Sequence, residues 1–437
     1  MDSWRPTILA AALLAAIGSA PVAAQTVQNS IDYQLGVSLL HSDNIGLVPE
    51  NEQDDWVIAP TLTFDVRRNS SKFRLAARGT AQYLDYTQGT FQNGARGALA
   101  AQANWVISPG RFEFMAADHL TRRPVDSLVS YNPANVQQIN VFVAGPTWVA
   151  RLSPTTRMRF DLRMSNSLAE KTHEIDGQQY LLSGSIDHDI SPNRSISAAV
   201  STERVNFAER SKANDYRRES AFVRYDTRMR TIQLQADLGW SRADIPAINA
   251  KSSGPFIRFD TAWNPRPNHT LRLRLTQQYA DTTEDVITHS LDDRSVLIQD
   301  FLNNEGVVTP QVYRDRRAQL HYDYRSDRLT LNAELESDRA TPIHVGGEGW
   351  NAVLGSISGA WRLSPTWTVN AYAAAFRRTL ISQPGVDRNQ FIGTGLGYRW
   401  NTHWSARVDL QHRVRRTPIQ VQNFKENGIV FYVGYQP

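Results

Sequence analysis

From Ile31 onward the chain alternates apolar and polar side chains in runs broken by short turn signals, and this pattern constrains the fold more than any other feature. Met158, Phe160, Leu162 and Met164 alternate with Arg157, Arg159, Asp161, Arg163 and Ser165. Leu271, Leu273 and Leu275 alternate with Arg272, Arg274 and Thr276; Trp404, Ala406, Val408 and Leu410 alternate with Ser405, Arg407, Asp409, Gln411 and, further on, Arg413. Successive strand side chains point to opposite faces, so a period of two gives strands with one apolar and one polar face.

The punctuation has its own rhythm. Short turn signals fall at Arg68-Asn-Ser-Ser71, Ser108-Pro-Gly110, Ser153-Pro-Thr-Thr156, Ser191-Pro-Asn-Arg194, Met229-Arg-Thr231, Asn264-Pro-Arg-Pro-Asn268, Ser326-Asp327, Ser364-Pro-Thr366 and Asn401-Thr-His403. Pro, Asn, Ser and Gly are the residues tight turns require. Longer polar stretches lie between them, among them Asp43 to Asp55, Pro124 to Gln137, Thr283 to Val312 and Arg415 to Lys425. Alternation of short turns with longer loops is the pattern of an outer-membrane barrel, with the turns in the periplasm and the loops outside. The count predicts an all-β fold, a transmembrane up-and-down antiparallel β-barrel of about 20 strands with 18 as the second choice. A soluble β-propeller or β-helix is the rival, but propeller repeats of about 40 residues hold four short strands where these units hold two long ones.

Composition narrows the class. In 437 residues, 41% hydrophobic with a mean hydropathy of −0.43, no apolar run after the N-terminus is long enough to cross a bilayer as a helix. Cysteine is absent, which excludes disulfides, thiolate metal sites and cysteine nucleophiles. The formal charge of +4 is mild and its basic residues are dispersed, so nucleic acid is not an expected partner. Residues 1–24 read as a cleaved signal peptide: Arg5 opens it, Ile8 to Ile17 is a short apolar core, and Val22-Ala23-Ala24 precedes the cleavage point. Residues 25–437 then form a single barrel domain.

Particular residues acquire expected roles from this frame. Trp105, Trp263, Trp361, Trp367, Trp400 and Trp404 stand beside short turns, where an aromatic girdle meets the membrane boundary. The last strand carries Gly428, Phe431, Val433 and Tyr435, which resemble the C-terminal signal read by barrel-assembly machinery, although Gln436 and Pro437 follow the last aromatic. Arg157, Arg159, Asp161, Arg163, Arg272, Arg274, Arg407, Asp409 and Arg413 are the candidate lumen-facing set. They either favour anionic solutes, binding carboxylate or phosphate, or pair with acidic neighbours to build a polar wall. Tyr83, Tyr86 and Tyr131 are candidates for stacking on sugar rings, or for interface packing. In the longest loop, Leu291 to Gly306 has an N-cap candidate in Asp292 or Asp293 and a stop at Gly306, which predicts a helix able to narrow the pore.

Catalysis is not expected. The histidines are scattered, and no Gly-x-Ser-x-Gly elbow, His-Glu-x-x-His motif or phosphate-cradling glycine loop occurs. Asp187-His188-Asp189 lies on an alternating run, so its carboxylates point away from its imidazole. No metal site, cofactor or catalytic residue is assigned.

Tyr33-Gln-Leu-Gly36, Ser42-Asp43-Asn44-Ile45 and Trp56-Val-Ile-Ala-Pro-Thr-Leu-Thr-Phe64 together resemble the opening of the β-barrel porin 2, EpsL-like family of outer-membrane proteins associated with exopolysaccharide biosynthesis. The resemblance implies a part in exporting a surface polysaccharide received from periplasmic export proteins. A general porin for small hydrophilic solutes, or a non-conducting barrel that organises a secretion complex, are the alternatives. Outer-membrane lipid, lipopolysaccharide and the assembly machinery are the expected partners.

Overall fold

The computed structural model describes residues 28–209, 213–290, 308–344, 347, 349–381 and 385–437. The signal segment 1–24 and the predicted helix Leu291 to Gly306 lie outside these residues. The first ten strands are β1 (Gln28–Ser42), β2 (Asp55–Asn69), β3 (Phe73–Tyr86), β4 (Gly94–Ser108), β5 (Phe112–Pro124), β6 (Val136–Arg151), β7 (Thr156–Ala169), β8 (Gly177–Ser191), β9 (Arg194–Phe207) and β10 (Tyr216–Arg228). The remaining ten are β11 (Ile232–Ile245), β12 (Ala250–Arg266), β13 (His269–Ala280), β14 (Tyr313–Arg325), β15 (Leu329–Pro342), β16 (Trp350–Arg362), β17 (Trp367–Leu380), β18 (Asp387–Arg399), β19 (Trp404–Arg416) and β20 (Phe424–Tyr435). Each strand pairs antiparallel with its neighbours in sequence, and β1 pairs with β20 from Leu35 opposite Tyr435 to Ser42 opposite Gly428. The result is a closed 20-stranded barrel. Closure leaves no open edge, as a spanning sheet requires where water cannot satisfy an unpaired amide.

The register sets the faces. Leu35 and Val37 on β1 are exposed, as are Leu62 on β2, Met164 on β7, Leu238 on β11 and Leu410 on β19. Such outward side chains form an apolar exterior. In water each square ångström of it costs about 25 cal/mol, a cost that lipid removes. The barrel is therefore a transmembrane one. Turn-end tryptophans share this outer face: Trp105 contacts Phe73 and Phe114, Trp367 contacts Tyr398, and Trp404 contacts Tyr435, with ring centroids 4.7–6.4 Å apart. Trp263, Trp361 and Trp400 are exposed at the same end. On β20, Phe431 and Val433 point outward, whereas Gly428 lies opposite Ser42 at the seam with β1.

The inner face departs from simple polarity over part of its circumference. On β14 to β18 the inward side chains include Tyr313, Trp350, Leu354, Tyr372, Phe376 and Phe391, all buried and packed together. The reason is visible in the strands: β17 reads Ala371-Tyr-Ala-Ala-Ala-Phe376, apolar on both faces, so alternation there does not distinguish lumen from lipid. Tyr372 lies flat across Gly393 on β18, where any Cβ would meet the phenol ring. Of the tyrosines singled out for sugar stacking, Tyr83 is exposed on the outer face, Tyr86 is buried against Phe91, and Tyr131 is half-buried in the β5–β6 loop.

Candidate functional site: the bridged lumen

Beside the aromatic sector, and overlapping it on β14 and β15, the wall is charged. Following cross-strand partners along one hydrogen-bonding direction gives Arg157, Asp187, Ser197, Arg224, Asp237, Arg258, Thr276, Arg317 and Asp338, one from each strand of β7 to β15. Arg157 lies at the turn end of its strand and Asp338 near the loop end of its own, so the row climbs the tilted barrel. Opposite charges directly across from each other attract. Arg157 reaches Asp189 at 3.0 Å and Asp187 at 3.5 Å, and Arg224 grips Asp237 with two bonds of 2.7 and 2.8 Å. His188, between Asp187 and Asp189 in sequence, instead meets Thr156.

The other singled-out residues fall into similar pairs. Arg163 reaches Asp161 at 2.8 Å, Arg274 reaches Asp260 at 2.9 Å, and Arg407 reaches Asp409 at 2.6 Å. Longer contacts of 3.9 Å join Arg272 to Asp323 and Arg413 to Glu426. Arg159 has no carboxylate within ion-pair distance among the described residues. A cavity of about 1430 Å³ runs along this wall, lined by Arg157, Arg159, Asp161, Arg163 and Arg274 from that set. Ser183, Ser185, Ser195, Ser197 and Ser201 also line it, small hydroxyl side chains that leave space on β8 and β9.

One helix closes the top of the cavity. The β13–β14 loop begins with α1 (Thr282–Ser290), which was not singled out in the sequence although its signal is there. Asp281-Thr-Thr-Glu284 has the spacing of a capping box, of which the N-cap half forms: Asp281 accepts from the Glu284 backbone N–H at 3.0 Å, while the Glu284 carboxylate turns to arginines. The second Asp281 oxygen accepts from Gln179 and the Tyr216 hydroxyl, at 2.9 and 2.8 Å. Burial lifts Asp281 above the usual carboxylate range, and the bonds it accepts only partly offset that. Val286 is fully buried against Ile139, Val141, Ala169 and Ile175, so α1 docks on the inner face of β6 and β7.

Its two carboxylates make the decisive contacts. Glu284 meets Arg218 of β10 and Arg258 of β12, and accepts from Gln278 of β13. Burial pushes Glu284 up, but the Arg218 and Arg258 guanidiniums outweigh it and hold the carboxyl below its ordinary value. Asp285 lies between Arg123 of β5, at 3.1 Å, and Arg317 of β14, at 2.9 Å. β5 and β14 stand on opposite walls of a 20-stranded barrel, so one carboxylate ties them across the lumen. Arg123 and Arg317 side chains are only 4% and 9% exposed.

A second segment crosses the loop-end mouth. Residues 125–135, between β5 and β6, place the Ser127 and Leu128 carbonyls against Arg378 of β17 and Arg415 of β19, at 2.6 and 3.2 Å. Asp387 of β18 joins those guanidiniums at 3.0 and 2.9 Å. Asn132 donates to the Gly46 carbonyl, and Gln422 accepts from the Ser130 N–H. Among the described residues no group of three His, Asp or Glu stands close enough to hold a metal ion.

No family model matches the chain, and no curated protein matches it. The resemblance drawn from Tyr33 to Phe64 thus gains no support from these comparisons. Solved structures do match, at low identity. The FrpB iron transporter from Neisseria meningitidis (F5-1 variant) is 7% identical with a TM-score of 0.46, over 93% of this chain and 82% of that one. Pseudomonas aeruginosa OpdK with vanillate is 11% identical, TM-score 0.37, over 93% and 99%. A loop L8 deletion mutant of OmpT, an outer membrane protein of Vibrio cholerae, is 8% identical, TM-score 0.36, over 94% and 100%. None of these likenesses carries a solute or a partner over to this chain.

Proposed function

We propose that this protein is a channel of the bacterial outer membrane that passes small hydrophilic solutes through a lumen narrowed by α1 and by residues 125–135. The observation that carries this reading is Asp285 held between Arg123 and Arg317 from opposite walls. A lumen spanned by two arginines and a carboxylate admits small solutes beside the bridge and not a broad polymer. The apolar exterior, the turn-end tryptophans and the signal-like residues 1–24 support the outer-membrane location. The outward Phe431, Val433 and Tyr435 of β20 fit recognition by barrel-assembly machinery. The charged wall is what a water-filled passage requires. Mixed charge along it favours weak overall ion selectivity, with local anion sites where arginines outnumber carboxylates.

Export of an exopolysaccharide, the role implied by the resemblance, requires both inward segments to leave the lumen. Planar-bilayer recording separates the readings. The wild-type barrel is expected to give a small, steady conductance. Replacing residues 283–308 by a short Gly-Ser linker should raise it severalfold. The excision ends are already adjacent, because Thr282 both donates to the Thr309 carbonyl and accepts from its N–H. A barrel silent in both forms would instead be a scaffold, and a large wild-type conductance blocked by polysaccharide would establish export.

A further inference from the structure

Four arginines from four strands converge on two adjacent carboxylates of one short helix. Arg218 and Arg258 take Glu284, and Arg123 and Arg317 take Asp285, while Arg218 also pairs with Glu203 of β9 and Arg317 lies 3.7–3.9 Å from Asp315, Glu336 and Asp338. Val286 docks α1 through apolar contact beside these ion pairs. For Arg258, Glu284 is the only carboxylate within ion-pair distance among the described residues. Both α1 carboxylates face the cavity of about 1430 Å³. Below them the same cavity is lined by Arg159, Arg194 and Arg228, which have no carboxylate within ion-pair distance among the described residues. Arg194 and Arg228 lie at the turn ends of β9 and β10. An anion arriving from the turn side meets free guanidiniums first and the α1-bound ones at the top.

We propose that Arg123, Arg218, Arg258 and Arg317 form a binding site for a small dicarboxylate solute, whose place is held in the resting barrel by Glu284 and Asp285 of α1. The inference rests on the channel reading and names its solute class. Guanidiniums bind carboxylates through paired, charge-assisted hydrogen bonds, and a solute carboxylate offers the same oxygens as the helix. The solute displaces α1 only through its preference for the released state, in which Arg218 and Arg317 keep their wall carboxylates and a dianion restores the two charges that Glu284 and Asp285 withdraw. Neutral sugars lack that preference and leave α1 docked.

The chain has no cysteine, so one introduced thiol reports α1 uniquely. Thr283 is 3% exposed in the docked helix, and Thr283→Cys is accordingly protected from a thiol reagent until α1 releases. Full-length barrel in lipid should label several times faster as succinate is raised, with saturation. Glucose and chloride at matched ionic strength should leave the rate unchanged. Adding Glu284→Gln and Asp285→Asn should give fast labelling without succinate, in protein shown to be folded by its heat-modifiable migration. Unchanged labelling under succinate, or an equal response to chloride, overturns the site. A barrel that conducts yet shows no succinate response loses only this inference, whereas one that never conducts loses the channel reading.

Discussion

Asp387 carries more than its own charge, because two nearly buried guanidiniums depend on it. Arg378 is 1% and Arg415 6% exposed, and the same two side chains hold the Ser127 and Leu128 carbonyls. Removing one member of a buried charge cluster leaves the others uncompensated, at a cost of about 3–5 kcal/mol. Asp387→Ala is therefore expected to free residues 125–135 from the mouth and to lower the unfolding midpoint of the barrel in urea. Protease cutting within residues 125–135 of the intact barrel checks the first effect, and uncut loops with an unchanged midpoint would contradict it. Arg157 belongs to the exposed part of the lumen, where solvent screens its pair with Asp189 and truncation should cost about 1 kcal/mol or less.

At the scale of elements, the seam between β1 and β20 shows how a short motif acts at long range. Asp43 and Asn44 read locally as turn formers that end a strand. In the barrel the Asp43 carboxylate accepts from the backbone and side-chain nitrogens of Asn427, both at 2.7 Å. Asn44 is fully buried; its amide donates to Val48 and Lys425 carbonyls while its oxygen accepts from the Val48 N–H. Ser42 completes the stitch by donating to Glu426 at 2.8 Å. Asn44→Ala removes the hydrogen bonds to the part-buried Val48 and Lys425 carbonyls, at a cost of about 1 kcal/mol each. The loss should appear as faster amide exchange along the loop ends of β1 and β20, with the rest of the barrel unaffected. The α1 element shows the complementary case: its start is legible in Asp281, three residues ahead of Glu284, whereas the helix expected at Leu291 to Gly306 lies outside the described residues.

For the molecule as a whole, closure makes every strand depend on two neighbours, so unfolding is expected to be cooperative and slow. Unboiled protein in mild detergent should migrate as a compact species distinct from the boiled chain, and identical migration would contradict the barrel. The sequence by itself determined the strand number, the turns and loops, and the outward face, because period-two alternation and turn chemistry are local properties read within a few residues. It also displayed the arginines, but not their cross-strand partners, since Arg157 finds Asp189 and Arg274 finds Asp260 only once register is fixed. The aromatic inner face of β16 to β18 escaped alternation because both faces there are apolar. Only the tertiary structure decided that Asp285 meets Arg123 and Arg317, and that Asp387 anchors a loop from the far wall. Those contacts join residues remote in sequence, and wrapping the sheet into a cylinder brings them together where no local pattern encodes it.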